Sequence, residues 1–399
     1  MISSWNAEWL FDGVCDPRIS PWLNGSTSCV GRANGLNSCD AEGAAAHVQR
    51  AAEVIARTNA DVMNLAEVEN CAILGDLISA LGSGGTQYEP HLVQGTDSFT
   101  QQQVGLLSRL SPLARLERSE ERAEYPIEGS TCGETTPKSS GLSKHYLARL
   151  ALEGLPGEAG VATLIVLGMH LKAIPTEPRS CNQREAQATI ARTLLAKALE
   201  ETDLVVALGD LNDFDGDDCC RDANDNMPTS RVLRMLKDPR GRGVDELKSV
   251  AERLPVAERY TDWWDHAPRD DTDNGDEEHS SLDHMLVSTR LFAALETVSI
   301  DHTHAPMDVS DHWPIVATFK FEGASGGGAA LSVLATIVGI GALASFAWTA
   351  KTSSRSGVGR ATASVSKSYP LGSGEVAAAP SDGWQPNEAA MQAAAVERA

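Results

Sequence analysis

The sequence has no surplus of positive charge: 33 Lys and Arg stand against 55 Asp and Glu in 399 residues, a net charge of −22. That excludes a broad basic face for tight, sequence-independent binding to DNA. It leaves a phosphate ester open as substrate, because a bound cation reverses the field locally. No C-x-x-C pair and no regular zinc-ligand spacing occurs among the eight cysteines (Cys15, Cys29, Cys39, Cys71, Cys132, Cys181, Cys219, Cys220), which argues against a structural zinc site. The even count fits up to four disulfides in an oxidising compartment; the alternative is scattered free thiols. Internal repeats are absent. So is a secretory leader, since the strand-like ISSWNAEWLF follows Met1 without a basic n-region or an apolar h-region.

What is present fits a folded chain. At 42% hydrophobic and 22% charged, 399 residues build one large domain or two small ones, not a disulfide miniprotein, a collagen-like fibre or a wholly disordered chain. One stretch differs from the rest. Gly323 to Ala350 carries no charge, and its core Ala329–Ala350 has 22 residues. As a helix that core is roughly 33 Å long, enough to span a bilayer. A Gly-rich hinge (323–328) precedes it; Lys351, Arg355, Arg360 and Lys367 follow it. The basic flank predicts a single-pass helix with a cytoplasmic C-terminus and the large N-terminal part outside or in a lumen. Residues 351–399, rich in Ala, Ser, Gly and Pro, read as a disordered tail. A luminal domain needs a leader, so a start upstream of Met1 is the expectation, with tail insertion as the alternative. In a lumen, Asn24 of Asn-Gly-Ser would be a glycosylation sequon.

Residues 1–322 alternate between apolar runs and helical patterns. Runs occur at Val62–Leu65, Val104–Leu107, Tyr146–Leu152, Val161–Met169, Leu204–Leu208, Leu282–Val287 and Ile315–Phe321; helical periodicity occurs at Ala44–Thr58, Arg184–Glu200 and Ser230–Leu236. This predicts an α/β or α+β domain. Polar residues stand on or at the ends of these strands: Asn6, Glu67, His170, Asp210, Asn212, Asp283, Asp311 and His312. A carboxylate or imidazole there is costly unless paired or used, and strand ends meeting at one sheet edge gather such groups into one pocket. Oxygen donors from Asn, Glu and Asp suit Mg²⁺ or Mn²⁺ rather than zinc, with Ca²⁺ as an alternative. A His oriented by an Asp suits proton transfer, and the whole set suits attack of water on a phosphate ester.

The stretches WNAEWLFD, LAEVEN, GMHLKA, GDLND, SLDHMLVS and SDHWPI, in this order, resemble the endonuclease/exonuclease/phosphatase superfamily over about residues 1–322. That superfamily includes pancreatic-type DNases, abasic-site endonucleases, neutral sphingomyelinases and inositol-phosphate 5-phosphatases. EVEN, HLKA, SCNQREAQ and GDLNDFDGD look most like its secreted or surface bacterial members. The resemblance implies a four-layer sandwich, two β-sheets face to face with helices outside. It implies a metal site at Asn6 and Glu67 with help from Asp311. His312 then resembles the general base oriented by Asp283, and His170 the second histidine near the phosphoryl oxygens. Asp210 and Asn212 match the pair that positions nucleophile and transition state. Whether Asp210 or His312 takes the proton stays open.

Two departures bear on substrate. Many DNA-cutting members carry a basic residue two positions after the metal Glu, where this chain has Glu69; the 5-phosphatase Trp-Cys-Asp-Arg signature is replaced by HSSLDH. The resulting expectation is a membrane-anchored phosphodiester hydrolase of nuclease type, with a sphingomyelinase-like lipid phosphodiesterase and an inactive surface scaffold as the rivals. Further signals are weaker. DFDGDD (213–218) and DANDN (222–226) resemble pieces of calcium loops but read better as a solvated acidic loop, and His302 with His304 as surface or strand-end histidines. Asp262–His279 is an acidic stretch with two Trp. Lys172 and Arg184 are candidate phosphate contacts or plain surface charges, and Cys132 and Cys181 are candidates to pair.

Overall fold

The computed structural model describes residues 1–11, 41–97, 100–133, 135–155, 160–264, 278–306 and 308–321. In chain order these form β1 (Ile2–Leu10), α1 (Ala41–Thr58), β2 (Val62–Val68), α2 (Cys71–Ala80), β3 (Glu89–Leu92), β4 (Gln103–Ser108), β5 (Arg122–Tyr125), β6 (Lys138–Gly141), β7 (Lys144–Leu152), β8 (Ala162–His170), α3 (Pro178–Glu201), β9 (Val205–Asp210), α4 (Val232–Lys237), β10 (Leu247–Ser249), β11 (Asp262–Trp264), β12 (Glu278–Ser280), β13 (Asp283–Ser288), α5 (Thr289–Ala293), β14 (Leu295–Ile300) and β15 (Ile315–Phe319). The expected hinge, membrane span and tail (323–328, 329–350, 351–399), together with Cys15, Cys29, Cys39 and Asn24, lie outside the described residues. Among the described residues no helix is long and apolar enough to cross a membrane.

Two sheets carry the domain. One has six strands in the order β14-β15-β1-β2-β4-β3, the other five in the order β10-β13-β9-β8-β7. β1 with β2 and β8 with β9 run parallel, and the other pairs in these sheets are antiparallel. The period-2 alternation of strands sorts their side chains into layers. On β8, Leu164 and Val166 face the other sheet, joining Ile2, Val62, Leu106, Tyr146, Val206, Met285 and Ile315 in the central core. Ile165, Leu167 and Met169 face outward onto Ala188, Ile190 and Leu195 of α3 and Val232, Leu233 and Leu236 of α4. On the far side, Trp5, Met63, Leu65 and Leu107 pack against Val48 and Ile55 of α1 and Ile73 and Leu77 of α2. The order is therefore helices, sheet, sheet, helices, as a sandwich buried on every inner face requires.

Local chemistry sets the helix ends. Asn70 caps α2, its Oδ1 accepting from Ala72 N (2.7 Å) and Ile73 N (3.2 Å). The expected helix at Arg184 starts earlier, at Pro178, because proline suits the first helical position and Glu177 caps the Ser180 N–H at 2.9 Å. The α2 helix and strand β14 were not expected: α2 is only ten residues, and β14 alternates on a largely exposed edge.

Cys132 and Cys181 are bonded, with Cα atoms 5.5 Å apart. The bond fastens the first turn of α3 to a segment 49 residues upstream. Replacing both by serine should lower unfolding free energy by about 2–4 kcal/mol, mainly by freeing the unfolded chain. Urea titration of oxidised wild type against the double variant measures this; equal midpoints would show that the bond carries no stability. Adjacent Cys219 and Cys220 form a second pair, while Cys71 is free and exposed.

The acidic segment 213–226 bears out the expectation of a solvated loop only in part. Asp217, Asp218 and Asp225 are exposed, but Asp213, Asp215 and Asp222 are buried. Asp222 Oδ1 accepts from the N–H of Asn224 and Asn226, and its Oδ2 from Ser281 N–H and Asn226 Nδ2. Lys237 Nζ bonds both Asp215 oxygens (2.8 and 2.7 Å) and Asp217 Oδ2 (2.6 Å). The carboxylates are spent on the protein's own donors.

Candidate active site

Register brings the polar strand ends together. Lys144 pairs with His170 across β7 and β8, His170 with Asp210 across β8 and β9, and Asp210 with Asp283 across β9 and β13. Four side chains from four neighbouring strands thus form one row at the end of the five-stranded sheet. The six-stranded sheet meets this row from the other side. Asn6 Nδ2 donates to Glu67 Oε1 at 3.2 Å within its own sheet and to Asp210 Oδ2 at 3.1 Å across the gap.

The backbone is shaped for this meeting. β1 shifts register between Asn6 and Leu10, and β2 between Ala66 and Val68, so that Asn6 and Glu67 flank bulges. Glu8, Trp9, Glu67 and Asn212 all have positive φ (46°, 53°, 62° and 49°). Non-glycine residues in that region cost about 1–3 kcal/mol each, and their gathering here marks a site over-determined by its surroundings. Gly209, at φ 138°, has no room for a side chain: a Cβ would lie 1.8 Å from Met169 O. Glycine before Asp210 is what lets β9 hug β8 at the row.

His312 sits between carboxylates. Its Nδ1 is 2.6 Å from Asp283 Oδ2, while Nε2 is 3.3 Å from Asp262 Oδ1 and 3.9 Å from Asp311 Oδ1. The loop before it is tied to β1: Ser310 Oγ donates to Asn6 O and accepts from His312 N, and Trp5 Nε1 donates to His312 O at 2.9 Å. Thr261 Oγ1 accepts the N–H of Leu282 (3.1 Å) and Asp283 (2.9 Å), fixing the start of β13. Burial alone would lower the His312 pKa, but Asp283 and then Asp262 outweigh it and hold it well above the ordinary value.

The neighbours titrate differently. Burial, then Lys144, His312 and Lys172, push His170 well below an ordinary imidazole, so it is neutral at pH 7. Its Nε2 is 3.5 Å from Asp210 Oδ2. Burial, then the Asp283 carboxylate, raise Asp210 to about 7 against the pull of His312 and of the Asn212 N–H on Oδ1 (2.9 Å). Burial also lifts Asp262 to about 8, although His312 draws it down, while Ser280 Oγ donates to its Oδ2 at 3.0 Å.

All eight expected residues are therefore placed: Asn6, Glu67, His170, Asp210, Asp283 and His312 are linked through the contacts above. Asn212 follows the row, its Nδ2 3.5 Å from Leu171 O. Asp311 lies on the His312 side, its N–H bonded to Glu8 Oε2 at 3.1 Å. Among the described residues no three His, Cys, Asp or Glu side chains are gathered to hold a metal ion. The oxygen chemistry of Glu67, Asn6 and Asp210 nonetheless fits a hard cation, and the excess of crowded carboxylates is what such an ion neutralises.

Asp262, Lys144 and Trp5 do not stand out in the sequence. Asp262 belongs to an acidic stretch that reads as a rim loop or solvated face, yet it is buried and bridges to His312. Arg184 corrects an expectation. It is fully buried behind the site, donating to the carbonyls of Lys172, Ile174 and Pro175 (2.7–3.2 Å) and 3.8 Å from Asp213. It clamps the loop after His170 and does not present itself to a ligand. His302 and His304 belong to an aromatic cluster: His302 stacks on Tyr260 at 3.8 Å and His304 on Trp313 at 5.9 Å.

Paired sheets between helices, with carboxylates and imidazoles meeting where the strands end, define a hydrolase of phosphate esters. The model of the Endonuclease/Exonuclease/phosphatase family matches residues 3–312, and the chain belongs to that family, whose members hydrolyse phosphate ester bonds. Similar solved structures include a truncated TDP2 from Caenorhabditis elegans (16% identity over 80% of this chain and 96% of that one, TM-score 0.43). A 3′ phosphatase, NExo, from Neisseria bound to a product DNA hairpin is 15% identical over 80% of this chain and 98% of that one, TM-score 0.47. The endonuclease/exonuclease/phosphatase from Bacteroides vulgatus is 13% identical over 80% and 98%, TM-score 0.47. No curated protein matches the chain.

Proposed function

We propose that the protein is a metal-dependent phosphodiester hydrolase of nuclease type, tethered to a membrane by Ala329–Ala350 with its catalytic domain on the outer or luminal side. The observation that carries the hydrolytic reading is the registered row of His170, Asp210 and Asp283 facing Asn6 and Glu67 across the two sheets. The uncharged stretch with basic residues after it supports the tether.

Glu67 and Asn6 would hold Mg²⁺ or Mn²⁺, with Asp311 as a further candidate from the other side of the site. When bound, the ion supplies Lewis-acid stabilisation of charge on the phosphoryl oxygens. Asp210 is the proton acceptor for the attacking water. Its pKa of about 7 matches neutral working conditions, and Asn212 N–H fixes the carboxylate that receives the proton. His312, held charged by Asp283, is better suited to present positive charge to a phosphoryl oxygen than to take a proton. Neutral His170 flanks Asp210 on the side away from Asp283, its Nε2 3.5 Å from Asp210 Oδ2.

The test is turnover by the purified full chain with Mg²⁺, Mn²⁺ or Ca²⁺ on plasmid DNA, RNA, sphingomyelin and a bis-aryl phosphodiester, with His312→Ala as control. Nucleic-acid cleavage abolished in the variant is the expected result. Cleavage of sphingomyelin alone would favour the lipid phosphodiesterase reading, for which a tether beside lipid headgroups speaks. No cleavage of any substrate would leave a surface-bound scaffold.

A further inference from the structure

Among the described residues, buried Lys237 is bonded to Asp215 and Asp217, Arg184 lies against Asp213, and Arg259 donates to the carbonyls of Leu254 and Arg221. Lys144, the first residue of β7 and the end of the registered row, is half-buried at the site itself. Its ammonium is 3.2 Å from His170 Nε2 and 3.3 Å from Gln102 Oε1. Neither partner is a carboxylate, and among the described residues no carboxylate stands within ion-pair distance of it, in a chain with 55 acidic residues. A half-buried charge without an anionic partner is poorly compensated.

The surroundings hold it there. Gln102 is buried at the start of β4, after Gln101 in the left-handed region (φ 60°). Thr96 N–H bonds Ser143 O at 2.9 Å, and Gly95 passes so close that a Cβ would meet Ser143 O at 2.4 Å. Gly95 and Thr96, between β3 and β4 of one sheet, are thereby held against the residue just before Lys144 in the other. The ammonium is braced at the seam between the sheets, beside the histidine nearest Asp210.

We propose that Lys144 is a substrate-binding residue of this site, its ammonium donating to an anionic oxygen of a phosphate ester or of the phosphate product. The proposal rests on reading the site as one for phosphate esters. The cation gains in the complex the anionic partner it lacks in the free protein. It also adds fixed positive charge where charge grows during attack, opposite His312 across Asp210. A strongly hydrated point charge on a flexible stem suits this, because it can move from Gln102 to the ligand without repacking.

Calorimetric binding of inorganic phosphate to the full chain, without divalent metal, tests this in wild type, Lys144→Met and Lys144→Arg. The methionine variant should bind roughly 10- to 100-fold more weakly, the range for loss of a charged hydrogen bond, and arginine should recover most of the loss. Melting curves should show all three folded, with Lys144→Met at least as stable as wild type. Phosphate should also shield Lys144 of the wild type from acylation, read by peptide mass spectrometry, which depends on no variant's folding. Unaltered phosphate affinity in Lys144→Met, loss without recovery in Lys144→Arg, or no shielding would each overturn the proposal. A wild type that binds phosphate through Lys144 yet cleaves no diester would refute the hydrolase reading and leave this one standing.

Discussion

Asp210→Asn is expected to lower kcat for phosphodiester hydrolysis by roughly 10²- to 10⁴-fold with little change in KM, the usual range for losing a positioned base. The asparagine keeps an oxygen for the Asn212 N–H and the same shape in the row; it loses the capacity to take a proton, together with the bond accepted from Asn6 Nδ2. The pH profile sharpens the test. Burial and Asp283 raise Asp210 to about 7, and the carboxylate is the active form, so wild-type kcat/KM should rise as pH passes upward through about 7. In the variant that rise should be lost. Steady-state rates from pH 5 to 9, with melting curves to establish folding, measure both. A variant retaining more than about a tenth of wild-type kcat would move the base role away from Asp210.

The second large effect runs in favour of the variant. Burial raises the Asp262 carboxyl from an ordinary 3.8 to about 8, so the folded state holds its proton over a range in which the unfolded chain has released it. Stability from this group is therefore intact below pH 4 and is lost as pH rises toward 8. His312 acts in the same direction. Its raised pKa gives stability that is full below the unfolded value of 6.5 and fades as pH climbs through the folded one. Asp262→Asn keeps an acceptor for His312 Nε2 and can donate to Ser280 Oγ. At pH 4 it should match wild type; at pH 8, without metal, it should be more stable by on the order of 3 kcal/mol, after discounting the lost ion pair. Denaturant titrations at the two pH values decide the matter, and an equal gap at both would show that ionisation of Asp262 is not the cause.

The sequence reveals most where one segment alone carries the signal. LVVALGD is an apolar run that stops on an acid, and it is a strand ending at Asp210 in the site. GMHLK and SLDHMLV read the same way for His170 and Asp283. Asp262 is hidden because its meaning depends on a bridge to His312 fifty residues later, in a stretch whose composition suggests solvent. Lys144 is hidden because it opens its strand, and only its registry with His170 shows what it faces. Arg184 misleads for the opposite reason: a basic residue near a catalytic strand suggests a ligand contact, but helix α3 turns it inward onto three carbonyls. Local pattern reports where a strand stops, while pairing partners and side-chain direction come from tertiary structure.

The row from Lys144 to Asp283 also constrains how this gene can change. Side chains alternate faces along a strand, so inserting or deleting one residue inside β7, β8, β9 or β13 would turn that strand's member of the row to the opposite face. The same edit would invert the strand's core pattern, so loss of activity and loss of folding arrive together. Length variation is then tolerable only in the connections between these strands, which the row does not traverse. Homologous chains should accordingly differ in loop length while keeping strand length fixed, and recombination breakpoints that preserve function should fall in the connections.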